Sequence, residues 1–283
     1  MKDLKILAVL IFFTAVIYIG VEPYAHSVMH PHVAPADYKF TDLNDVTIKE
    51  QGNVKNGETL VQSNCIGCHA LKAAGIDAPM DNASAASVYG VVPPDISTAG
   101  LIYEKNYLAH FIKNPAKASK IDHKFNDQNP HPMPNYEWMS DDEINDMVAY
   151  LVSIAPSHLE DKKVFEDACS RCHTMRYAKI EAHSDVTDYM GSYPPDLSII
   201  IRARSKEFLN TFINDPQKQL HGTAMPRVGL SEDAQKQVIT YLENVGDSKK
   251  GEREALAPWV LGYLVILAIF SYLWKIKIWR EVH

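Results

Sequence analysis

The sequence predicts an all-α protein: two tandem helical domains of similar length, held between two apolar helices. Three observations predict it. Cys65-Ile66-Gly67-Cys68-His69 recurs as Cys169-Ser170-Arg171-Cys172-His173, and the two copies use all 4 cysteines. Further landmarks follow each copy in the same order, the mark of an internal repeat. Between the apolar ends nothing alternates long enough to read as a sheet, whereas helical spacing is frequent.

The elements can be justified in order. Residues Ile6 to Val21 form an apolar run behind Lys2 and Lys5. No convincing small-residue cleavage site follows, so 4–21 reads as an uncleaved signal anchor, with a signal peptide as the alternative. On either reading the chain beyond it is sent across the membrane. Residues 22–49 read as a linker on that far side, and His26, Met29, His30 and His32 as part of it rather than as a metal site.

The repeat follows as domains 50–156 and 157–247. Pro93-Pro94-Asp95-Ile96-Ser97 matches Pro194-Pro195-Asp196-Leu197-Ser198, and Phe111-Ile112 matches Phe212-Ile213. Met133-Pro134 matches Met225-Pro226, and Tyr150-Leu151 matches Tyr241-Leu242. The early landmarks sit 101 to 104 positions apart and the later ones 91 to 92, which puts a loop insertion in the first copy, within 117–129. Ser140 with Glu143 is a capping box, and Ile144, Met147, Val148 and Leu151 then share one helical face. Ser231 opens the equivalent helix, with Glu232 and Asp233 in its first turn and a stripe of Ala234, Val238, Tyr241 and Leu242.

The last element, 255–274, is 20 residues without a charge, followed by Lys275, Lys277 and Arg280. That is the length of a membrane span, with positive residues marking the cytoplasmic side. Trp259, Tyr263, Tyr272 and Trp274 fit aromatic belts at the two interfaces. Both termini are therefore expected in the cytoplasm, with the two domains in the periplasm of a bacterial inner membrane.

Cys-x-x-Cys-His is the attachment pattern of c-type haem. On one helical turn, positions i, i+3 and i+4 share a face, so two thiols can take the two vinyl groups while the histidine points at the iron. A disulfide framework or a four-thiolate zinc site would use the cysteines but would not explain a histidine after both pairs. Two covalently attached haem c groups follow, held by Cys65, Cys68 and His69, and by Cys169, Cys172 and His173. The chain is expected to move electrons as a carrier subunit rather than to act as an enzyme on its own.

Each iron needs a distal ligand, and Met133 and Met225 are the candidates. Each precedes a proline, which keeps it on extended backbone shortly before a capped helix. His131 and His221 are the competing donors, while Met139, Met147 and Met190 read as core or loop residues. A two-haem peroxidase would need an open distal position, and a methionine in both domains argues against it. Pro94 and Pro195 are expected to carry backbone carbonyls toward the free N–H of His69 and His173. Arg202 and Arg204 are candidate partners for haem propionates. All the arginines lie at 171 or later, which predicts the higher potential for the second haem. A net charge of −7 sets nucleic acid aside and leaves basic protein surfaces as partners.

With these residues in view, the chain resembles cytochrome c1, the haem subunit of the quinol:cytochrome c oxidoreductase (bc1) complex. Pro194-Pro195-Asp196-Leu197-Ser198 ahead of Arg202 and Arg204, the Met225-Pro226 pair and the C-terminal anchor carry that resemblance, best over 160–283. Ordinary cytochrome c1 has one haem and a cleaved signal, so this chain looks like a two-haem version built from tandem class I cytochrome c domains. The resemblance implies a cytochrome b neighbour and a Rieske iron–sulfur protein as donor. It implies a terminal oxidase or small cytochrome c as acceptor. The two-haem subunit of a cbb3-type oxidase is the alternative, but its anchor lies at the N-terminus.

Overall fold

The computed structural model describes residues 2–29, 34–183 and 185–282 and is helical throughout. Among the described residues the extended pairings are isolated bridges, such as Leu71 with Ile76 and its counterpart Met175 with Ile180. At the N-terminus, α1 (Lys2–Ala15), a π-helical stretch (Val16–Val21) and α2 (Glu22–Met29) run on from one another. Pro23, which has no N–H to give, falls just after the π turns, where the hydrogen-bond register has already shifted.

The repeat appears as two sets of six helices in the same order. The first domain has α3 (Val54–Asn64), α4 (Asn82–Tyr89), α5 (Ala99–Ile102), α6 (Lys105–Lys113), α7 (Pro115–Ala118) and α8 (Asp141–Ile154). The second has α9 (Asp161–Ala168), α10 (Val186–Met190), α11 (Ile200–Ala203), α12 (Lys206–Asn214), α13 (Pro216–Gln219) and α14 (Glu232–Gly246). The chain ends in α15 (Lys250–Val282).

Local sequence explains most boundaries. The Asn53, Ser205 and Ser231 side chains accept from backbone N–H groups in the first turns of α3, α12 and α14. Ser140 and Glu143 form both halves of the expected capping box at α8. Asn114-Pro115 and Asp215-Pro216 end one helix and start the next, with proline at the first helical position, where its missing N–H costs nothing.

In each domain the first and last helices pack together. α3 approaches α8 so closely at Gly57 that an added Cβ would lie 1.9 Å from the Asp146 carbonyl oxygen, which only glycine permits. In the second domain Phe165 of α9 meets Tyr241 of α14 with ring centroids 5.0 Å apart. The predicted stripes of α8 and α14 are buried.

The domains share structure in several places. Ile102, 1% exposed, belongs to the core of the second domain although it ends α5 of the first, and Tyr103 packs beside it. The insertion after α7 is an interdomain bracket: Ile121 and Phe125 pack with Val186, Met190 and Cys172, and Phe125 stacks on Tyr189 at 5.9 Å.

Another of these places corrects the expectation of a linker over 22–49. Its first part is helix α2, His30 and His32 lie outside the described residues, and 34–49 is a packed strap. Phe40 is fully buried against Tyr107. The backbone N–H groups of Val46 and Lys49 donate to His110 Nε2 and Asn145 Oδ1 in the first domain, and that of Asp37 donates to Asn214 Oδ1 in the second. Composition hid this, because polar strap residues answer polar groups placed by both domains.

Outside the domains, Leu4–Val28 (25 residues) and Lys250–Arg280 (31 residues) are helical, apolar and unburied, and each is long enough to cross a membrane.

Candidate functional site

Each Cys-x-x-Cys-His motif is a helical turn continuing from the domain's first helix. The Cys65 N–H bonds to the Val61 carbonyl at 2.8 Å, and the His69 N–H returns to the Cys65 carbonyl at 2.9 Å. Cys169 and His173 repeat this on Phe165 and Cys169, again at 2.8 and 2.9 Å. The two thiols and the imidazole therefore share one face, as the spacing predicts. All four cysteines are unpaired. Burial pushes the Cys65 and Cys169 thiols up to about 12, so neither is a ready thiolate. Among the described residues no three His, Cys, Asp or Glu side chains converge as a metal cage.

The histidines are held from behind. His69 Nδ1 lies 2.8 Å from the Pro94 carbonyl, and His173 Nδ1 lies 2.8 Å from the Pro195 carbonyl. A carbonyl only accepts, so Nδ1 carries the proton and Nε2 is left with its lone pair. Burial is the main cause lowering both imidazole pKa values, with the Arg171 charge adding to it at His69. Each ring is thus kept neutral with one nitrogen free to ligate.

The Pro-Pro-Asp loop is itself fixed. The Ile96 N–H donates to the Ala70 carbonyl at 3.0 Å, and the Leu197 N–H to the Thr174 carbonyl at 2.9 Å. Asp196 accepts from the Thr174 hydroxyl and from the N–H groups of Arg176 and Ser198. Burial alone would raise its pKa, but these bonds together outweigh it and take the carboxyl down to about 2.

Met133 is half-buried on a loop between α7 and α8. His131 Nδ1 lies 3.0 Å from the Met133 carbonyl and 3.2 Å from its N–H, so it is engaged by that loop's own backbone. Tyr136 ties the loop down by donating its hydroxyl proton to the Asn64 carbonyl at 2.9 Å. Met225 is half-buried and packs on the second core, whereas His221 is exposed. Met139, Met147 and Met190 are buried, in keeping with their reading as core.

The Met225 loop is zipped onto the first domain. The Arg227 N–H donates to Ser119 at 2.8 Å, the Tyr107 hydroxyl to the Arg227 carbonyl at 2.7 Å, and the Glu104 N–H to the Gly229 carbonyl at 3.0 Å. Gly229 has φ +74, and the Tyr107 ring fills the place of its absent Cβ.

Arg202 and Arg204 are exposed. Arg202 lies 4.0 Å from Asp247, and the Arg204 guanidinium sits 5.0 Å from the Phe208 ring centre. Both line a crevice with Lys206, Glu243 and Arg253 at the foot of α15. Sequence reasoning passed over two other arginines. Arg227, 2% exposed, pairs with Asp42 of the strap at 2.8 Å and with Asp215 at 3.0 Å, while its Nε and one terminal nitrogen find no partner. Its place directly after Met225-Pro226 was the available signal. Arg171, inside the second motif, reaches the first domain.

The donor set fits haem c at both places: two unpaired thiols and a neutral, oriented imidazole on one turn, with a methionine on a loop of the same domain. The cytochrome c family model matches residues 54–155 and 161–246. No curated protein shows significant sequence similarity to the chain. A chain of a solved hyperthermophilic respiratory Complex III is similar over 96% of this chain and 99% of that one, at 17% identity and a TM-score of 0.30.

Proposed function

The chain belongs to the cytochrome c family as a two-haem electron-transfer protein, and on that premise we propose that it is the membrane-anchored, c1-type subunit of a quinol:cytochrome c oxidoreductase. In this reading a Rieske iron–sulfur protein supplies the electrons and cytochrome b is the membrane neighbour. A terminal oxidase or a small cytochrome c receives them. The chain is a carrier within that enzyme and has no catalytic residues of its own. The haem domains lie in the periplasm of a bacterial inner membrane, with both termini cytoplasmic and Lys275, Lys277 and Arg280 on the inner side.

When bound, each haem supplies a one-electron iron centre. The rest is the work of the chain. Cys65 and Cys68, and Cys169 and Cys172, would attach the haem covalently. His69 and His173 would ligate through Nε2, because Pro94 and Pro195 hold their Nδ1 protons. Met133 and Met225 would supply a thioether sulfur to the iron, a soft donor that favours the reduced metal. Outer-sphere transfer needs burial and rigid geometry, and no substrate site. Arg202 and Arg204, though engaged with Asp247 and Phe208, stand as propionate partners in this reading.

The observation that carries the complex-specific reading is α15, an unburied apolar helix long enough to span, directly after the second domain. The helix Leu4–Val28 favours a second reading, the two-haem subunit of a cbb3-type oxidase, whose anchor is N-terminal. Gentle solubilisation of native membranes and identification of what co-purifies with the tagged chain separates them. Cytochrome b with a Rieske protein is the expected outcome. A copper–haem oxidase subunit without them would transfer the chain to the second reading.

A further inference from the structure

The first domain contains no arginine, since all of the chain's arginines lie at 171 or later. On sequence alone its haem lacks the fixed guanidinium charge available to the second. The structure supplies one across the interface. Arg171, the third residue of the second motif, donates from a terminal nitrogen to the Val92 carbonyl at 3.2 Å. Val92 stands two residues before Pro94, whose carbonyl orients His69. The contact does not stand alone. Six residues beyond Val92, Thr98 donates its hydroxyl proton to Asp167 of α9 at 2.8 Å. Helix α9 and its motif therefore lie along the segment 92–103 of the first domain, and Arg171 is half-buried in that seam.

From this geometry we propose that Arg171 is a potential-setting residue shared by both haem sites, bound to the second by sequence and to the first by its hydrogen bond to Val92. The two-haem reading above is its premise. A fixed positive charge disfavours the oxidised, more positive iron, so it raises the reduction potential of any centre within its reach. Burial in the seam keeps that charge from being screened as a surface arginine would be. Guanidinium suits the task because it holds its charge at any physiological pH and offers planar donors to a fixed carbonyl. The asymmetry of potentials expected from arginine count is correspondingly reduced.

The test is a spectroelectrochemical titration of the full-length, detergent-solubilised holoprotein, following both midpoints in the wild type, R171Q and R171K. If Arg171 is shared, R171Q lowers both midpoints, R171K leaves both near wild type, and the R171Q shifts persist in high salt. Movement of one midpoint only, or of neither, overturns the proposal, because a purely local residue would tune its own site alone. Should R171Q attach haem poorly beside Cys172, R171M makes the same comparison with an unbranched neutral chain. Haem content is measured on the same samples. Fewer than two haems per wild-type chain would overturn the two-haem reading itself, an outcome distinct from unchanged midpoints in a two-haem protein.

Discussion

At the scale of single residues, the proximal sites show how a short motif depends on a loop far from it in sequence. His69 and His173 would be free to rotate on their turns if Pro94 and Pro195 did not accept their Nδ1 protons. In the second domain that loop hangs on Asp196. Its native carboxyl lies at about 2, below the ordinary aspartate value of about 3.9. A depressed carboxylate stabilises the fold above its unfolded value and ceases to do so as pH falls through its native one. Acid should therefore loosen the second site between about pH 4 and pH 2, and a pH series of melting temperatures on wild type and Asp196→Asn checks this. The variant should be less stable at pH 7, and its melting temperature should fall less across that window. Equal slopes would assign the acid sensitivity elsewhere. The distal methionines make a sharper pair of predictions. Met133→Ala and Met225→Ala should each remove about half of the sulfur-to-iron charge-transfer band in the near red and lower one midpoint. If a variant keeps the full band, that methionine is not a ligand, and His131 becomes the donor to examine in the first domain.

At the scale of elements, the question is which domain each helix serves. α5 is covalently part of the first domain, yet Ile102 is buried in the second core beside Leu230 and Met225. Truncating a fully buried isoleucine costs about 2–5 kcal/mol. Ile102→Ala should therefore destabilise the second domain, with loss of its methionine band before that of the first. Preferential loss of the first site in thermal melts followed by absorbance would refute the shared core. Gly229→Ala attacks the same loop from the other side, since it requires a positive φ and places a methyl group inside the Tyr107 ring. What sequence could reveal of this is set by range. Ser140 with Glu143, Asn114-Pro115 and the stripe on α8 were legible because caps and periodicity act within a few residues. The carbonyls of Pro94 and Pro195 were legible because the repeat displayed the same segment twice. The strap, the bracket of Ile121 and Phe125, and the cross-domain roles of Arg171 and Arg227 were not. Each pairs residues dozens to nearly two hundred positions apart, and a polar or aromatic residue in a loop carries no local sign of its partner.

At the scale of the molecule, the chain is a fused pair of domains between two apolar ends. The apolar windows of Leu4–Val28 and Lys250–Arg280 are not buried by protein, so in water they would present a large exposed apolar surface. Alkaline carbonate should leave the protein in the membrane pellet and only detergent should release it. Between those ends the two domains are bound by more than a flexible tether. The strap touches both through Val46 and Asp37, the Met225 loop is bonded to Ser119, Tyr107 and Glu104, and Arg227 is buried among Asp42, Asp215 and Phe40. Breaking such a seam would leave a buried guanidinium and carboxylate unpaired, at a cost of about 3–5 kcal/mol. Ile102 would be stripped from its core as well. Neither domain then has a native-like state to itself, and the pair should unfold as one unit. Calorimetry of the holoprotein is expected to give a single transition, with both methionine bands lost together. Arg227→Met should separate it into two, the second domain melting first, because the seam fails while each proximal site keeps its own loop. Two well-separated transitions already in the wild type would mean that the interface adds little, and that the domains are merely neighbours on one chain.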